Sequence, residues 1–203
     1  MSQSKTKYIF STDWFSHNIP IWEQCLSKYK DMGDMHFLEI GCFEGRSTVW
    51  LLENILTNKS SKITCIDTFE GSIEHHIHHE YRRFLPTLFD IFCNNIVHFA
   101  DKVIIKQGKS QDILKGLNDK YDFIYIDGDH TATAVMEDAV LSFALLQPGG
   151  IMIFDDYLWG VDLANPDKIN LNIPKNAIDC FLRIYSDKIK VLYIDYQVII
   201  EKK

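Results

Sequence analysis

The 203-residue chain carries 46% hydrophobic residues, enough to bury a proper core, and is expected to form one domain, 1–203. Its formal charge of −7, with no local basic patch, works against nucleic acid and anionic membrane surfaces as partners and favours small molecules. Five scattered cysteines without C-x-x-C spacing, an N-terminus (M-S-Q-S-K-T-K) lacking the apolar core of a signal peptide, and no apolar run near the ~20 residues that span a bilayer predict a soluble, cytoplasmic protein with free thiols.

The arm, 1–34, includes S-T-D-W-F-S-H-N-I-P-I-W-E-Q-C-L-S-K-Y-K, with Pro20 at a helix start and Ile21, Trp22, Cys25, Leu26 and Tyr29 at helical spacing behind it. This helix is expected to pack against the sheet edge or over a cofactor, with Trp14, Phe15 and Trp22 anchoring the arm rather than forming a lid. Phe37 to Ser47, F-L-E-I-G-C-F-E-G-R-S, then runs from an apolar strand through two glycines into a helix continuing T-V-W-L-L-E-N-I-L. Gly41 and Gly45 let the backbone pass close to a ligand, and the helix beginning near Arg46 points its free N–H groups there. Phe43 stands where the Gly-x-Gly-x-x-Gly pattern of dinucleotide binders needs glycine, so a pyrophosphate fits poorly. With acidic Glu39 at the strand end, then Gly41 and Gly45, the stretch resembles the first motif of class I S-adenosylmethionine-dependent methyltransferases.

K-I-T-C-I-D-T-F is a second strand ending in Asp67, where an acid at the carboxyl edge of a parallel sheet can accept hydrogen bonds from ribose hydroxyls. The connection 71–100 is expected to be a lid-like insertion followed by a helix. Its cluster His75, His76, His78 and His79 lacks a companion cysteine, and adjacent histidines diverge in direction, so a solvated lid is a better reading than a zinc site. K-V-I-I-K-Q-G is a third strand, and Gly108 and Ser110 occupy the turn into a short helix. Y-D-F-I-Y-I-D-G-D-H is a fourth strand, turning abruptly acidic after Ile126. The helix behind it should bury Met136, Val140 and Phe143 and end at Q-P-G-G. I-M-I-F-D-D-Y is a fifth strand; a helix should run from Pro174 to about Asp187, and two β runs meet near Asp195 and Tyr196 as an antiparallel hairpin.

Neighbouring strands lie ~5 Å apart, so Asp127 closing strand four and Asp155 and Asp156 closing strand five converge at the carboxyl edge. Like charges so close drive protons onto some of the acids unless a cation compensates, and oxygen ligands select a hard divalent ion: Mg²⁺, with Mn²⁺ or Ca²⁺ as substitutes. I-D-G-D-H followed by P-G-G-I-M-I-F-D-D-Y resembles metal-dependent O-methyltransferases of the catechol type and of the type acting on macrolide sugars and related antibiotics. That resemblance, covering Phe37 to Tyr157, implies an α/β fold: a Rossmann-like three-layer sandwich with a mostly parallel seven-stranded sheet and a C-terminal antiparallel hairpin. It implies S-adenosylmethionine held by Glu39, Gly41, Gly45, Ser47, Asp67, Gly108, Ser110 and Asp127, and Mg²⁺ held by Asp127, Asp155 and Asp156. The catechol type has Asp-Asn where this chain has Asp155-Asp156, which favours the sugar and antibiotic branch.

The reaction implied is O-methylation of a small hydroxylated molecule, with Asp129 as the first candidate for the base and His130 orienting substrate or sharing the task. A metal-assisted hydrolase or hydroxylase-like enzyme would use the same acids, but leaves Glu39, Gly41, Gly45 and Asp67 without a role. An inactive S-adenosylmethionine-binding module would need the cradle alone. Neither the methyl acceptor nor a homo-oligomer is specified by the sequence.

Overall fold

The computed structural model describes residues 8–72, 75–76, 82–161 and 170–203. Seven strands form one sheet: β1 (His36–Ile40), β2 (Lys62–Asp67), β3 (Val103–Gln107), β4 (Tyr121–Ile126), β5 (Leu146–Phe154), β6 (Ile189–Ile194) and β7 (Val198–Lys202). Their order is β3-β2-β1-β4-β5-β7-β6, parallel except for β7, which runs antiparallel to both of its neighbours. The central strands are apolar on both faces, as a sheet covered on both sides requires. Phe37, Phe123, Tyr125, Ile151, Ile153 and Ile199 point to one face, while Leu38, Ile124, Ile126, Met152, Phe154 and Ile200 point to the other.

Helices α1 (Ile19–Leu26), α2 (Arg46–Asn54) and α3 (Leu88–Ile96) cover the first face, while α4 (Ser110–Leu114), α5 (Ala132–Leu145) and α6 (Pro174–Ile184) cover the second. The result is the expected Rossmann-like three-layer arrangement. Prolines open α1 and α6 within their first turns, where the missing N–H costs nothing. Thr131 caps α5, its Oγ1 accepting from the Ala134 N–H at 3.4 Å.

Four expectations need adjustment. Helix α1 lies over the middle of a face rather than at the sheet edge. Trp22 is fully buried there, its ring 4.7 Å from Tyr125, 5.7 Å from Phe123 and 4.8 Å from Phe15. Q-P-G-G belongs to β5 and does not end α5. The helix stops at Leu145 because Leu146 turns extended, and the Lys202 ammonium donates to the carbonyls of Phe143 and Leu146, replacing a glycine cap. Gly149, at φ +76°, lies in the irregular pairing between Tyr121↔Leu146 and Phe123↔Ile151. The buried face of α5 is Val135, Asp138, Ala139, Ser142 and Phe143, whereas Val140 is 40% exposed. Finally, α6 ends at Ile184. The helix expected in the second half of 71–100 is α3, which packs into the first face through Leu88, Phe92 and Ile96.

Trp22 is the largest side chain in the first core. Replacing it by Ala should cost about 3–5 kcal/mol in chemical denaturation, as for other large-to-small core changes. A loss below about 1 kcal/mol would mean that the arm is not part of the cooperative core.

Candidate active site

The carboxyl ends of β1, β2, β3, β4 and β5 open into one cleft of about 1010 Å³. Its floor is the turn after β1. Gly41, at φ +84°, lies so close to the end of β4 that a Cβ there would sit 1.9 Å from the Asp127 carbonyl oxygen. Gly45, at φ +81°, begins α2, and a Cβ there would meet the Phe92 ring at 2.9 Å. Both positions therefore require glycine, one to meet β4 and one to meet α3. Between them Phe43 adopts φ 47°. The Asp67 Oδ2 atom steadies this strained turn by accepting from the Cys42 and Phe43 N–H groups at 2.7 and 2.8 Å, while Oδ1 accepts from Phe69 N–H at 2.7 Å.

The cofactor residues expected from sequence divide by position. Gly41, Ser47, Asp67, Gly108, Ser110 and Asp127 line the cleft; Glu39 and Gly45 do not. Glu39 points away from the cleft, under α2, where its carboxylate accepts from the Ser47 hydroxyl and from Thr48 Oγ1 at 2.6 Å. Burial pushes its carboxyl up to about 7, with the Asp67 charge adding and the two hydroxyls opposing. Glu39 thus fixes the start of α2 and turns the Ser47 hydroxyl inward.

The acids of β4 and β5 meet as anticipated, because Asp127 N–H bonds to Ile40 O at 2.8 Å and Asp155 N–H to Ile126 O at 2.9 Å, carrying the ladder one residue past the strands. His130 Nε2 stands 3.0 Å from Asp156 Oδ2 and 3.8 Å from Asp127 Oδ1, so Asp127, His130 and Asp156 bring one ligand atom each within 4.8 Å of one another. Asp155 is not one of these three but shares a partner with them, since Tyr125 Oη stands 3.0 Å from Asp127 Oδ2 and also contacts Asp155 Oδ2. Asp155 Oδ2 accepts from Tyr125 Oη and, at 2.8 Å, from Gln197 Nε2, and its Oδ1 accepts from Asp156 N–H at 2.8 Å. Gln197 is held in turn by the Trp22 indole N–H at 2.8 Å, and Tyr196 donates to Asp156 Oδ1 at 3.0 Å. Asp129 is exposed on the cleft wall, accepting from Thr131 N–H at 2.8 Å.

Electrostatics follow from this crowding. Burial and the Asp155 charge drive the Asp127 carboxyl well above the carboxylate range, against the pull of His130. Burial and the Asp156 charge push Asp155 to about 6, against hydrogen bonds from Tyr125 and Gln197. Asp156 falls below its ordinary value: burial would raise it, but His130 and Tyr196 outweigh that.

Trp14, expected to anchor the arm rather than to form a lid, stands at an aromatic wall of the cleft, where Phe43 stacks on His75 at 5.0 Å and Trp14 lies 5.5 Å from Phe43; the sequence reading gave Phe43 no such place. Trp14 thus lines the site as well as belonging to the arm, and His75 is part of the wall; His78 and His79 lie outside the described residues. No spacing rule marks a single ring on a distant arm as a site residue. Glu39, Cys42 and Cys65 form a second compact trio, fully buried behind the turn. Both Glu39 oxygens are already bonded, and burial raises both thiols, so this trio consists of neutral packing groups.

Residues 38–157 match a family model described as "Methyltransferase domain". An uncharacterised protein of Acanthamoeba polyphaga mimivirus is 29% identical over 130 residues, 61% of this chain and 52% of that protein, so the chain spans about half the length of that relative. Among solved structures, the O-methyltransferase from Bacillus cereus in complex with SAH matches with a TM-score of 0.66 at 18% identity, over 95% of this chain and 84% of that one. An rRNA methylase from Streptococcus thermophilus matches with a TM-score of 0.60 at 11% identity, over 91% and 95%. The two structural likenesses establish the fold.

The raised Glu39 carboxyl makes a stability prediction. Between pH 4.5 and about 7 the folded state holds a proton that the unfolded chain has released, so this contribution is full below pH 4.5 and is lost as pH rises through 7. Its size is on the order of 3 kcal/mol. Denaturation of the wild type and Glu39→Gln across pH 4 to 8 should show the variant gaining relative stability with rising pH; parallel curves would mean that Glu39 is not buried as a neutral acid.

Proposed function

The chain belongs to the methyltransferase-domain family, and from that premise we propose that it moves the methyl group of S-adenosylmethionine to a hydroxyl oxygen of a small molecule, assisted by a divalent cation. The observation carrying this reading is the juxtaposition of two half-sites. The glycine turn with Asp67, Gly108 and Ser110 offers a cradle without the pyrophosphate approach, and the Asp127, His130 and Asp156 group stands beside it in the same cleft.

The donor set fits a divalent ion. Two carboxylates and one imidazole bring three ligand atoms together, the crowded negative charge that raises the Asp127 carboxyl is what a cation would relieve, and the mixed oxygen and nitrogen set suits Mn²⁺ as well as Mg²⁺. Asp127, His130 and Asp156 would hold it. Asp155, tied to Tyr125 and Gln197, would orient Asp156 through its backbone N–H. Such an ion makes a bound hydroxyl easier to deprotonate.

Methyl transfer forms a C–O bond from the acceptor lone pair and breaks the C–S bond, whose electron pair returns to sulfur as S-adenosylhomocysteine leaves. The hydroxyl proton goes to a base at the cleft. Asp129 suits that task because its carboxylate is exposed on the wall, whereas His130 is drawn towards Asp156 and Asp127. Asp13, Glu70, Asp129 and Glu137 also line the cleft, which opposes a polyanionic RNA acceptor.

Calorimetry should show S-adenosylmethionine binding by the wild type, and Mn²⁺ binding that weakens at least about tenfold in Asp156→Asn. No cofactor binding would overturn the reading; cofactor binding with Mn²⁺ affinity unchanged by the substitution would remove the metal. In a screen of hydroxylated acceptors, Asp129→Ala should lower turnover by about 10²–10⁴ with cofactor affinity intact. Near-full turnover would move the base role to His130.

A further inference from the structure

We propose that the arm, residues 8–15, is a strap across the cofactor turn that is unseated for S-adenosylhomocysteine to leave, with Asn95 and Arg46 as the positioning residues that set how fast it opens. The inference rests on the S-adenosylmethionine reading above and adds the control of product release to it.

Residues 8–13 belong to no helix or strand, yet their backbone is held at four points by side chains of the turn, α2 and α3. Asn95, on α3 and 2% exposed, accepts from Ile9 N–H and donates to Ile9 O, both at 2.8 Å. Its second N–H goes to the Glu44 carbonyl at 2.8 Å, which fixes the amide orientation and ties arm, α3 and turn together. Glu44 Oε2 accepts from Ser11 N–H at 2.6 Å. Arg46 donates Nε and Nη2 to the Thr12 carbonyl at 3.0 and 2.8 Å, while its Nη1 stands 3.3 Å from Asp13 Oδ2. Glu44 and Arg46 flank Gly45, so both grips close on the glycine turn. Beyond them Thr12, Asp13, Trp14 and Phe15 line the cleft.

Little apolar burial backs these bonds. Tyr8 and Phe10 are half-buried at the margin of the first core, Ile9 is 57% exposed, and the first fully packed residue is Phe15, against Trp22. The arm can therefore peel back as far as Phe15 while that core stays intact. The seated arm also opposes itself. Glu44 is buried, and its Oε1 has no hydrogen-bond partner among the described residues, a cost that water relieves when the arm lifts. Because the grips sit on the turn the cofactor would touch, ligand binding and arm seating share residues, and each stabilises the other. Release then waits on opening.

The test follows S-adenosylhomocysteine release from the full chain by stopped-flow displacement, with amide hydrogen exchange at Ile9 and Ser11 measured beside it. Ligand should slow exchange there by about tenfold in wild type. Asn95→Ala should release the ligand at least about tenfold faster than wild type. Since Asn95 does not line the cleft, that change acts through the arm and turn it bonds. Arg46→Met should release equally fast and covers the case in which Asn95→Ala does not fold. Arg46→Lys separates grip from charge: it keeps the cation without the paired donors, so it should match Arg46→Met. Slow release restored in Arg46→Lys, release within about twofold of wild type in Asn95→Ala or Arg46→Met, or exchange at Ile9 and Ser11 indifferent to ligand would overturn the inference and leave the methyltransferase reading standing. Failure of wild type to bind S-adenosylhomocysteine at all would overturn both.

Discussion

Everything at the site depends on how closely the turn after β1 approaches the end of β4. With a would-be Cβ of Gly41 only 1.9 Å from the Asp127 carbonyl oxygen, there is room there for backbone and nothing else. The consequence is geometric: the glycine turn after β1 and the acids that follow β4 and β5 line one cleft. The Asp127 N–H to Ile40 carbonyl bond locks this contact from the other side. Asp67 then holds Cys42 and Phe43 in place, so a non-glycine residue keeps a left-handed conformation it would not adopt alone.

The second determinant comes from far away in the chain. Trp22 packs on Tyr125 and donates to Gln197, Gln197 donates to Asp155, and Tyr125 reaches the same Asp155 oxygen. An N-terminal helix, the central strand and the C-terminal hairpin thereby agree on the orientation of one carboxylate. Because each link is buried or half-buried and has a partner, the network fixes Asp155 without spending the Asp156 side chain, which stays with His130 and Tyr196.

Much of this was legible in the sequence. Continuous apolar runs ending abruptly in Asp127 and Asp155 gave both the parallel sheet and the edge at which the acids meet, because parallel neighbours align their ends. Gly41 and Gly45 announced a close approach, though not what each approaches: β4 for one, α3 for the other. Side-chain direction was not legible. Glu39 and Asp67 are both acids at strand ends, yet one alternation step sends Glu39 beneath α2, and Asp67, the last residue of β2, opens to the cleft. Nor could spacing reveal that Asp155 would be claimed by Tyr125 and Gln197 while His130 moved in beside Asp156. Those choices are made by tertiary partners more than 25 residues away in the chain.

Four carboxyls, Glu39, Asp127, Asp138 and Asp155, carry raised proton affinities, and each either lines the cleft or directly bonds a residue that does. Burial is the leading cause in every case, so each one works against folding at neutral pH. Such a concentration makes no sense as packing, since isosteric apolar side chains would avoid the cost. It fits acids that shape the cleft: Glu39 bonds Ser47 and Thr48 at the start of α2, and Asp127 and Asp155 share the Tyr125 hydroxyl at the cleft wall, where the proposed cation would offset their charge. The two aromatic and aliphatic cores on either side of the sheet carry the stability that lets this edge remain strained.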